Sequence, residues 1–352
     1  FYIIPINLYF ILKKRSKTKS LLGITIGYFL LSYVVLRFAD PYLFQSSNLL
    51  NPVPSNLFSD NLRQLAFFFG GKDTWYPPGI QWIGKKPILF SLFNISVYGV
   101  GVVISSFFIS GAIYIFKFLG KKNIKPIFIW TLAFLIFQSI QFAQFMRYFI
   151  IIYPFIALFA GIGFFYLLNY LKRFNFYEVS LSFIVFLALI WPLSFSQIYK
   201  KDHSRVEASK WIYKNIEAKS ILLTEYWDDP LPLFLENSPK DFINLQLPVF
   251  EMDTKQKWEK MNELLNKGSY LILSSNRGWG SISVLPDKYP KMSKFYKDLL
   301  SEKLEYKKIK EISSFPTLYL SGFNIKLDDS SSDESFTVYD HPKVIIFKNK
   351  NN

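Results

Sequence analysis

Two patterns of hydrophobic and polar positions succeed one another along the chain. Up to about residue 195, long apolar runs alternate with short charged stretches; beyond it, short β-branched runs alternate with amphipathic segments. Residues 1–12 read as the end of a membrane helix. The runs 21–38, 89–118, 126–143, 150–171 and 179–195 reach the length of about 17 residues or more that a bilayer crossing needs. Glycine and serine recur within 89–118, as close helix packing in lipid requires. In the second half, 205–216 place Val206, Ser209 or Lys210, and Tyr213 at helical spacing, and 255–266 place Trp258, Met261, Leu264 and Leu265 on one helix face. Residues 292–300 also read as helix, whereas 221–224, 270–273, 306–313 and 344–347 read as strands. That alternation predicts an α/β layer domain. The acidic, serine-rich stretch 328–334 is expected to be an exposed loop. The predicted fold class is a multi-pass α-helical membrane domain followed by a small soluble α/β domain. The first, residues 1–195, comprises the end of one helix, five further transmembrane helices and an outer loop at 39–87; the second is residues 196–352.

Charge orients these elements. The loops at 13–19, 117–125 and 171–178 carry eleven Lys and Arg against one acid. They alternate with the loops at 39–87 and 144–149 and with the tail. The positive-inside rule puts the basic loops in the cytoplasm, so the long loop, the turn around Arg147 and the tail share the outer face. The net charge of +15 belongs to the helical half: residues 1–195 hold 17 Lys and Arg and four acids, Asp40, Asp60, Asp73 and Glu178. Residues 196–352 are nearly balanced, with 24 basic and 22 acidic side chains. A basic excess confined to membrane loops argues against nucleic acid as a partner and for the lipid bilayer. The 38 Phe, concentrated in the first 200 residues, fit lipid-facing helices. The chain has no Cys, which excludes disulfides and thiolate chemistry, and its two His, His203 and His341, argue against a multi-His metal site. It begins at Phe1 inside an apolar run without an initiator Met or a basic n-region, and is expected to be a fragment starting within a membrane helix.

Chemistry is expected where polar residues meet the outer boundary. Arg147 and Tyr148 stand where a polar cluster runs into the apolar run 150–171. A guanidinium there either snorkels to lipid phosphates or holds a bound anion. Residues 75–87 (WYPPGIQWIGKKP) form a rigid, non-helical loop with interfacial aromatics. Its Lys85 and Lys86 lie outside against the charge trend and suggest phosphate neutralisation, or ordinary headgroup contact. Arg37 has a weaker claim at the same boundary. Asp40, before Pro41, reads as a membrane-edge carboxylate or as a turn residue; Asp60 and Asp73 read likewise. In the tail, Glu225, Asp228 and Asp229 follow one strand and Ser274–Gly280 another. Carboxylates at strand ends can face a ligand crevice, although a solvated loop is the plainer expectation. The glycine-containing turn lacks the spacing of a phosphate-cradling loop. His341 reads as a local hydrogen-bonding residue.

The stretch RYFIIIYPFIALFAGIGF resembles the Arg-Tyr-x-x-x-x-x-Pro segment of C-type membrane glycosyltransferases, the protein-O-mannosyltransferase-like group that uses polyprenyl-phosphate sugars. WYPPGIQWIGKKPILFSLFNISVYGVG resembles the outer loop and following helix of a bacterial and archaeal branch of that group, and RVEASKWIYKNI, EYWDDPLP, YLILSSNRGWGSI and DDSSSDESFTVYDHPKVIIF resemble its tail. The resemblance implies inverting transfer of a mannose-like hexose from a polyprenyl-phosphate sugar donor to a hydroxyl of a protein or glycan acceptor. It implies that Arg147, Lys86 and Tyr148 bind the lipid phosphate, Lys86 standing where the branch shows a basic residue after Gln-Trp-x-Gly. Asp73, Trp75, Tyr76, Gln81 and Trp82 would form the substrate loop. No cofactor is implied, and a divalent metal is compatible with the chemistry. In this family the catalytic Asp lies in the first outer loop, upstream of Phe1, so no base is assigned and residues 1–352 alone are expected to be inactive. The competing readings are a transporter or flippase of a lipid-linked substrate, and a non-catalytic membrane protein with a binding tail. No span carries an ionisable residue near its centre, which counts against the transporter.

Overall fold

A computed structural model describes residues 18–69, 76–117, 124–236 and 240–351. Among these, 18–69, 86–117 and 124–185 form one compact unit, and 76–85 with 186–351 form another. The proline-rich segment 76–85, read from sequence as part of the membrane domain's outer loop, thus packs within the α/β unit, as do residues 186–195.

The helical unit begins with α1 (Thr18–Ala39), which stops one residue before Asp40-Pro41, where proline disfavours continuation. Arg37 is buried at its end. It donates to the carbonyls of Ser46 (2.9 Å), Asn51 (3.0 Å) and Asn48, and its guanidinium carbon lies 4.3 Å from the Phe44 ring centroid. Its role is to fold its own loop. Asp40 takes the N-cap position of the short turn Pro41–Leu43 without a side-chain bond, and Asp60 pairs at the surface with Arg63 at 3.1 Å. After α2 (Asn56–Phe69) comes α3 (Pro77–Ile80), a four-residue turn in the segment that belongs to the other unit. The apolar run 89–118, expected as one span, is two helices: α4 (Leu89–Asn94), continued by a wide turn to Gly99, and α5 (Val102–Lys117), bent by 116°. Gly101 sits in the bend with φ +83°, a conformation that only glycine adopts without strain. The Ser105 hydroxyl donates to the Ser96 carbonyl across it at 3.0 Å.

α6 (Lys125–Ser139) and α7 (Tyr153–Leu171) complete the packed core of this unit. A Cβ on Gly111 of α5 would overlap the Phe159 carbonyl of α7, and one on Gly163 would overlap the Phe107 carbonyl, so the two glycines let these backbones touch. Phe128 meets Phe159 edge-on at 4.9 Å, and Trp130 meets Phe155 at 5.2 Å. α8 (Tyr177–Ser196) carries Pro192 inside it. Large apolar side chains such as Phe29, Leu31, Ile109, Phe165 and Val179 remain exposed on these helices. Among the described residues, two helical runs are long and apolar enough to cross a membrane: α7 and Tyr177–Asn215, which begins with α8. The bent pair α4–α5 makes a third if taken as one span, while Gly23–Ala39 and Lys125–Ser139 are apolar but shorter. The five further spans read from the sequence reduce to two or three by this measure. The run 126–143 overruns its helix, which ends at Ser139 before the turn at Ile140, whereas 21–38 lies wholly within α1.

The second unit contains α9 (Ser204–Asn215), β1 (Ile221–Glu225), β2 (Ile243–Leu247), α10 (Lys255–Lys267), β3 (Tyr270–Leu273), α11 (Arg277–Ile282) and α12 (Pro290–Leu300). β4 (Tyr306–Ile312), the hairpin β5 (Thr317–Leu320) and β6 (Phe323–Lys326), α13 (Glu334–Val338) and β7 (Val344–Asn349) follow. Five strands form one sheet in the order β2-β1-β3-β7-β4; β2, β1 and β3 are mutually parallel, and β7 is antiparallel to both neighbours. Alternation along the central strands explains why both faces are covered. Leu223, Leu271, Leu273, Ile345 and Phe347 pack against Met261, Met292, Tyr296 and Leu299 on one face, and Ile80 of the proline-rich segment joins that cluster. Leu222, Ile272, Val344 and Ile346 pack against Ala208, Ile212 and Ile216 on the other. Each fully buried large apolar side chain there contributes about 1.5–3 kcal/mol relative to exposure.

Candidate functional site

The parallel arrangement of β1 and β3 sets their carboxyl ends side by side, the position where open α/β sheets form crevices. The two tail stretches picked out in the sequence, 225–229 and 274–280, both emerge there. Both are more buried than a solvated loop: Glu225, Asp228, Ser274, Ser275 and Arg277 are buried, while Tyr226, Trp227 and Asp229 remain exposed. Arg205 from α9 ties them together, donating to Asp228 Oδ1 (2.6 Å), Asp229 Oδ2 (2.8 Å) and the Ser274 carbonyl (3.3 Å). The Ser275 hydroxyl donates to the other Asp228 oxygen. Arg277, opening α11, donates through Nε to Glu334 Oε1 at 2.7 Å and through Nη1 to the Trp227 carbonyl at 3.4 Å. The Tyr296 hydroxyl donates to Glu225 Oε1. Gly278 makes this approach sterically feasible, since a Cβ there would overlap both Glu225 Oε1 and the Tyr296 hydroxyl.

The stretch 328–334, expected as an exposed loop, is one only in part: Asp328, Ser330 and Ser331 are exposed, but Asp329, Asp333 and Glu334 are buried, and Glu334 joins the same cluster. Asp333 caps α13 by accepting from the Ser335 amide at 2.9 Å, and His341 Nε2 lies 2.7 Å from Asp329 Oδ2. The proline-rich segment reaches in as well. Gln81 Oε1 accepts from the Glu334 amide at 3.1 Å, its Nε2 donates to the Pro78 carbonyl at 3.0 Å, and Tyr76 meets Trp227 edge-on at 5.5 Å. Trp82 is buried beside them in sequence. Of the expected substrate-loop residues, Tyr76, Gln81 and Trp82 are therefore anchored in this unit, with Gln81 joined directly to the cluster. Asp73 and Trp75 lie outside the described residues.

Two carboxyls of the cluster, Glu225 and Glu334, are shifted upward by burial. Burial pushes the Glu225 carboxyl up to about 8, and neighbouring Asp228 adds to this, against the Tyr296 hydrogen bond and the Arg277 charge. Burial likewise pushes Glu334 up to about 7 despite the Arg277 guanidinium beside it. Glu225 Oε2 and Glu334 Oε2 are buried without a hydrogen-bond partner among the described residues, consistent with neutral carboxyls. A carboxyl raised in the folded state stabilises the fold fully below its unfolded pKa, and that contribution is lost as pH rises through the folded value. Glu225→Gln keeps an acceptor for Tyr296 and removes the titration. It is expected to raise the thermal midpoint of the α/β unit at pH 8.5 by several degrees and to change it little at pH 5, in melts followed by near-ultraviolet circular dichroism. An equal shift at both pH values would contradict this.

In the helical unit, Arg147 stands on the short turn Met146–Phe149 between α6 and α7. It is exposed, its guanidinium carbon 4.4 Å from the Phe145 ring centroid and 5.7 Å from that of Tyr148. Lys86 is exposed at the start of the segment leading into α4. That segment is fastened to the chain ahead of Arg147 at two points: the Ile88 amide donates to the Ser139 carbonyl (3.1 Å), and the buried Ser91 hydroxyl donates to Gln144 Oε1 (2.9 Å). Neither cation forms a salt bridge among the described residues. The sequence singled out both cations but not their fastening, whose partners are 51 and 53 residues apart. Among the described residues no group of three or more His, Asp or Glu is arranged to hold a metal. Comparison with protein-family models, curated proteins and solved structures finds no match to this chain.

Proposed function

We propose that this protein is a membrane glycosyltransferase of the C-type, polyprenyl-phosphate-dependent group, moving a mannose-like hexose to an acceptor hydroxyl on the outer face of a membrane. The observation that carries the reading is the pair of exposed cations, Arg147 and Lys86, on two segments fastened by the Ser91–Gln144 and Ile88–Ser139 bonds. The apolar side chains left exposed on the surrounding helices support a bilayer setting. In the transfer, the acceptor oxygen attacks the anomeric carbon with inversion. The bond from that carbon to the phosphate oxygen breaks, the acceptor proton passes to a carboxylate base, and the lipid phosphate departs. Negative charge builds on the phosphate oxygens as it leaves, and two fixed cations stabilise it. Tyr148, stacked edge-on with Phe145 at 5.3 Å, frames the same turn. The donor would be a polyprenyl-phosphate sugar, and the acceptor a protein or glycan.

The test uses the full-length gene product in proteoliposomes with radiolabelled polyprenyl-phosphate mannose and glucose. Label should pass to endogenous acceptor extracts, and Lys86→Ala should lower kcat/KM for the donor by about tenfold or more, the smaller loss expected of a point-charge phosphate contact. Absence of transfer from both donors, with the protein correctly inserted, would overturn the reading in favour of a binding or transport protein.

A further inference from the structure

We infer that a groove on the α/β unit, between α10 and α12, is a binding site for a neutral saccharide. The groove encloses about 660 Å³, within the range of small-ligand clefts. Trp258 of α10 and Phe295 of α12 form its apolar floor, their ring centroids 6.2 Å apart at 63°. Such aromatic faces suit the C–H faces of a pyranose ring. Around them the polar groups are unused: the side chains of Asn262 and Asn266 make no hydrogen bond among the described residues, and each amide offers a donor and an acceptor. The charged lining balances, with Lys291 and Lys294 against Asp298 and Glu305. An anionic or cationic ligand would meet both attraction and repulsion there, whereas a polyhydroxylated neutral ring can donate to the acids and accept from the amines.

The walls are held in place before any ligand arrives. Asp253 accepts from the Trp258 indole N–H at 3.0 Å through one oxygen, and through the other from the Lys291 and Met292 amides that open α12, at 2.8 and 3.0 Å. Buried Lys257 also donates to Asp253 at 3.2 Å. One carboxylate thus locks the indole plane of one wall and the first turn of the other, which lowers the ordering cost of binding. At the far end, Tyr306 is fixed by its hydroxyl's bond to the Leu265 carbonyl at 2.7 Å. This site lies apart from the strand-end cluster and uses none of its residues. Its role as the acceptor-glycan site rests on the transferase reading above; the binding itself does not.

The experiment is saturation-transfer NMR on the full chain in a sugar-free detergent. The probes are linear tri- and tetrasaccharides of mannose, glucose and N-acetylglucosamine, with a heparin tetrasaccharide as the anionic contrast. At least one neutral probe should receive saturation at its ring protons. Its Kd should weaken at least tenfold in Trp258→Ala and in the double variant Asn262→Ala/Asn266→Ala. The latter changes only exposed side chains and leaves the thermal midpoint unmoved. No transfer to any neutral probe, binding unchanged in the double variant, or tighter binding of heparin would each overturn the inference. Neutral-sugar binding without glycosyl transfer would remove the acceptor role and the transferase reading and leave the groove; transfer without binding would do the reverse.

Discussion

Arg147→Ala is expected to abolish transfer, by about 10²–10³ in kcat, the range seen when one donor to a developing oxyanion is removed. The guanidinium is exposed on the turn Met146–Phe149 and, among the described residues, contacts the rings of Phe145 and Tyr148, so its loss leaves the α5–α7 packing and the Ser91–Gln144 bond untouched. Membrane insertion and expression should therefore match the wild type. Arg147→Lys should recover part of the rate, because it restores the charge but not the planar fork that grips two phosphate oxygens. The measurement is donor-saturated turnover in proteoliposomes, normalised to inserted protein. Wild-type turnover in Arg147→Ala would return this residue to a headgroup anchor and leave Lys86 without a partner in the proposed clamp.

Arg277→Met should destabilise the α/β unit by about 3–5 kcal/mol at pH 8, the cost of leaving one member of a buried ion pair uncompensated. Glu334 loses its 2.7 Å partner, and Glu225 and Asp228 lose a neighbouring positive charge. The loss should shrink at pH 5.5. Glu334 already titrates near 7 with Arg277 present. Without the guanidinium its folded value rises further, so in acid the carboxyl escapes the penalty by taking a proton, and the pair's contribution is no longer at stake. The double variant Arg277→Met/Glu334→Gln should recover much of the stability at pH 8, since both charges are then gone. Thermal unfolding of the single and double variants at both pH values measures this. An equal loss at pH 5.5 and pH 8 would mean that Arg277 acts by packing alone.

Local period made much of the α/β unit legible. The runs 221–224, 270–273 and 344–347 are β1, β3 and most of β7, because a strand buried on both faces reads as a continuous apolar run. The face holding Trp258, Met261, Leu264 and Leu265 is α10, because four side chains at helical spacing need one core. β2 escaped notice: it is an edge strand, mostly exposed, and its INLQL carries no buried run. The hairpin β5–β6 turns through Gly322 at φ +95° and covers little core, so its signal was equally thin. In the helical half, apolar composition located the helices, overran one end each of α6 and α7, and missed the bend at Gly101.

The strand-end cluster shows where sequence reasoning stops. Composition made 328–334 a surface loop and 225–229 a solvated one, because acidic residues carry a large desolvation cost when taken singly. What buries Asp228 and Glu334 within them is partners far along the chain: Arg205 for Asp228 across 23 residues, Arg277 for Glu334 across 57, and Gln81 for the Glu334 amide across 253. By itself the amino-acid sequence determined the alternation of apolar runs with basic loops, the change of period near residue 195, the cations at 86 and 147, and most of the strands and helices of the tail. These follow from nearest neighbours along the chain, through solvation and side-chain periodicity. Only the tertiary structure decided that 76–85 folds with the α/β unit, that Glu225 and Glu334 are buried near their titration points, and that Asp253 locks two helices into a groove. Each of those depends on contacts whose loop-closure cost is met by complementary groups remote in the chain, and no local pattern records which remote group that is.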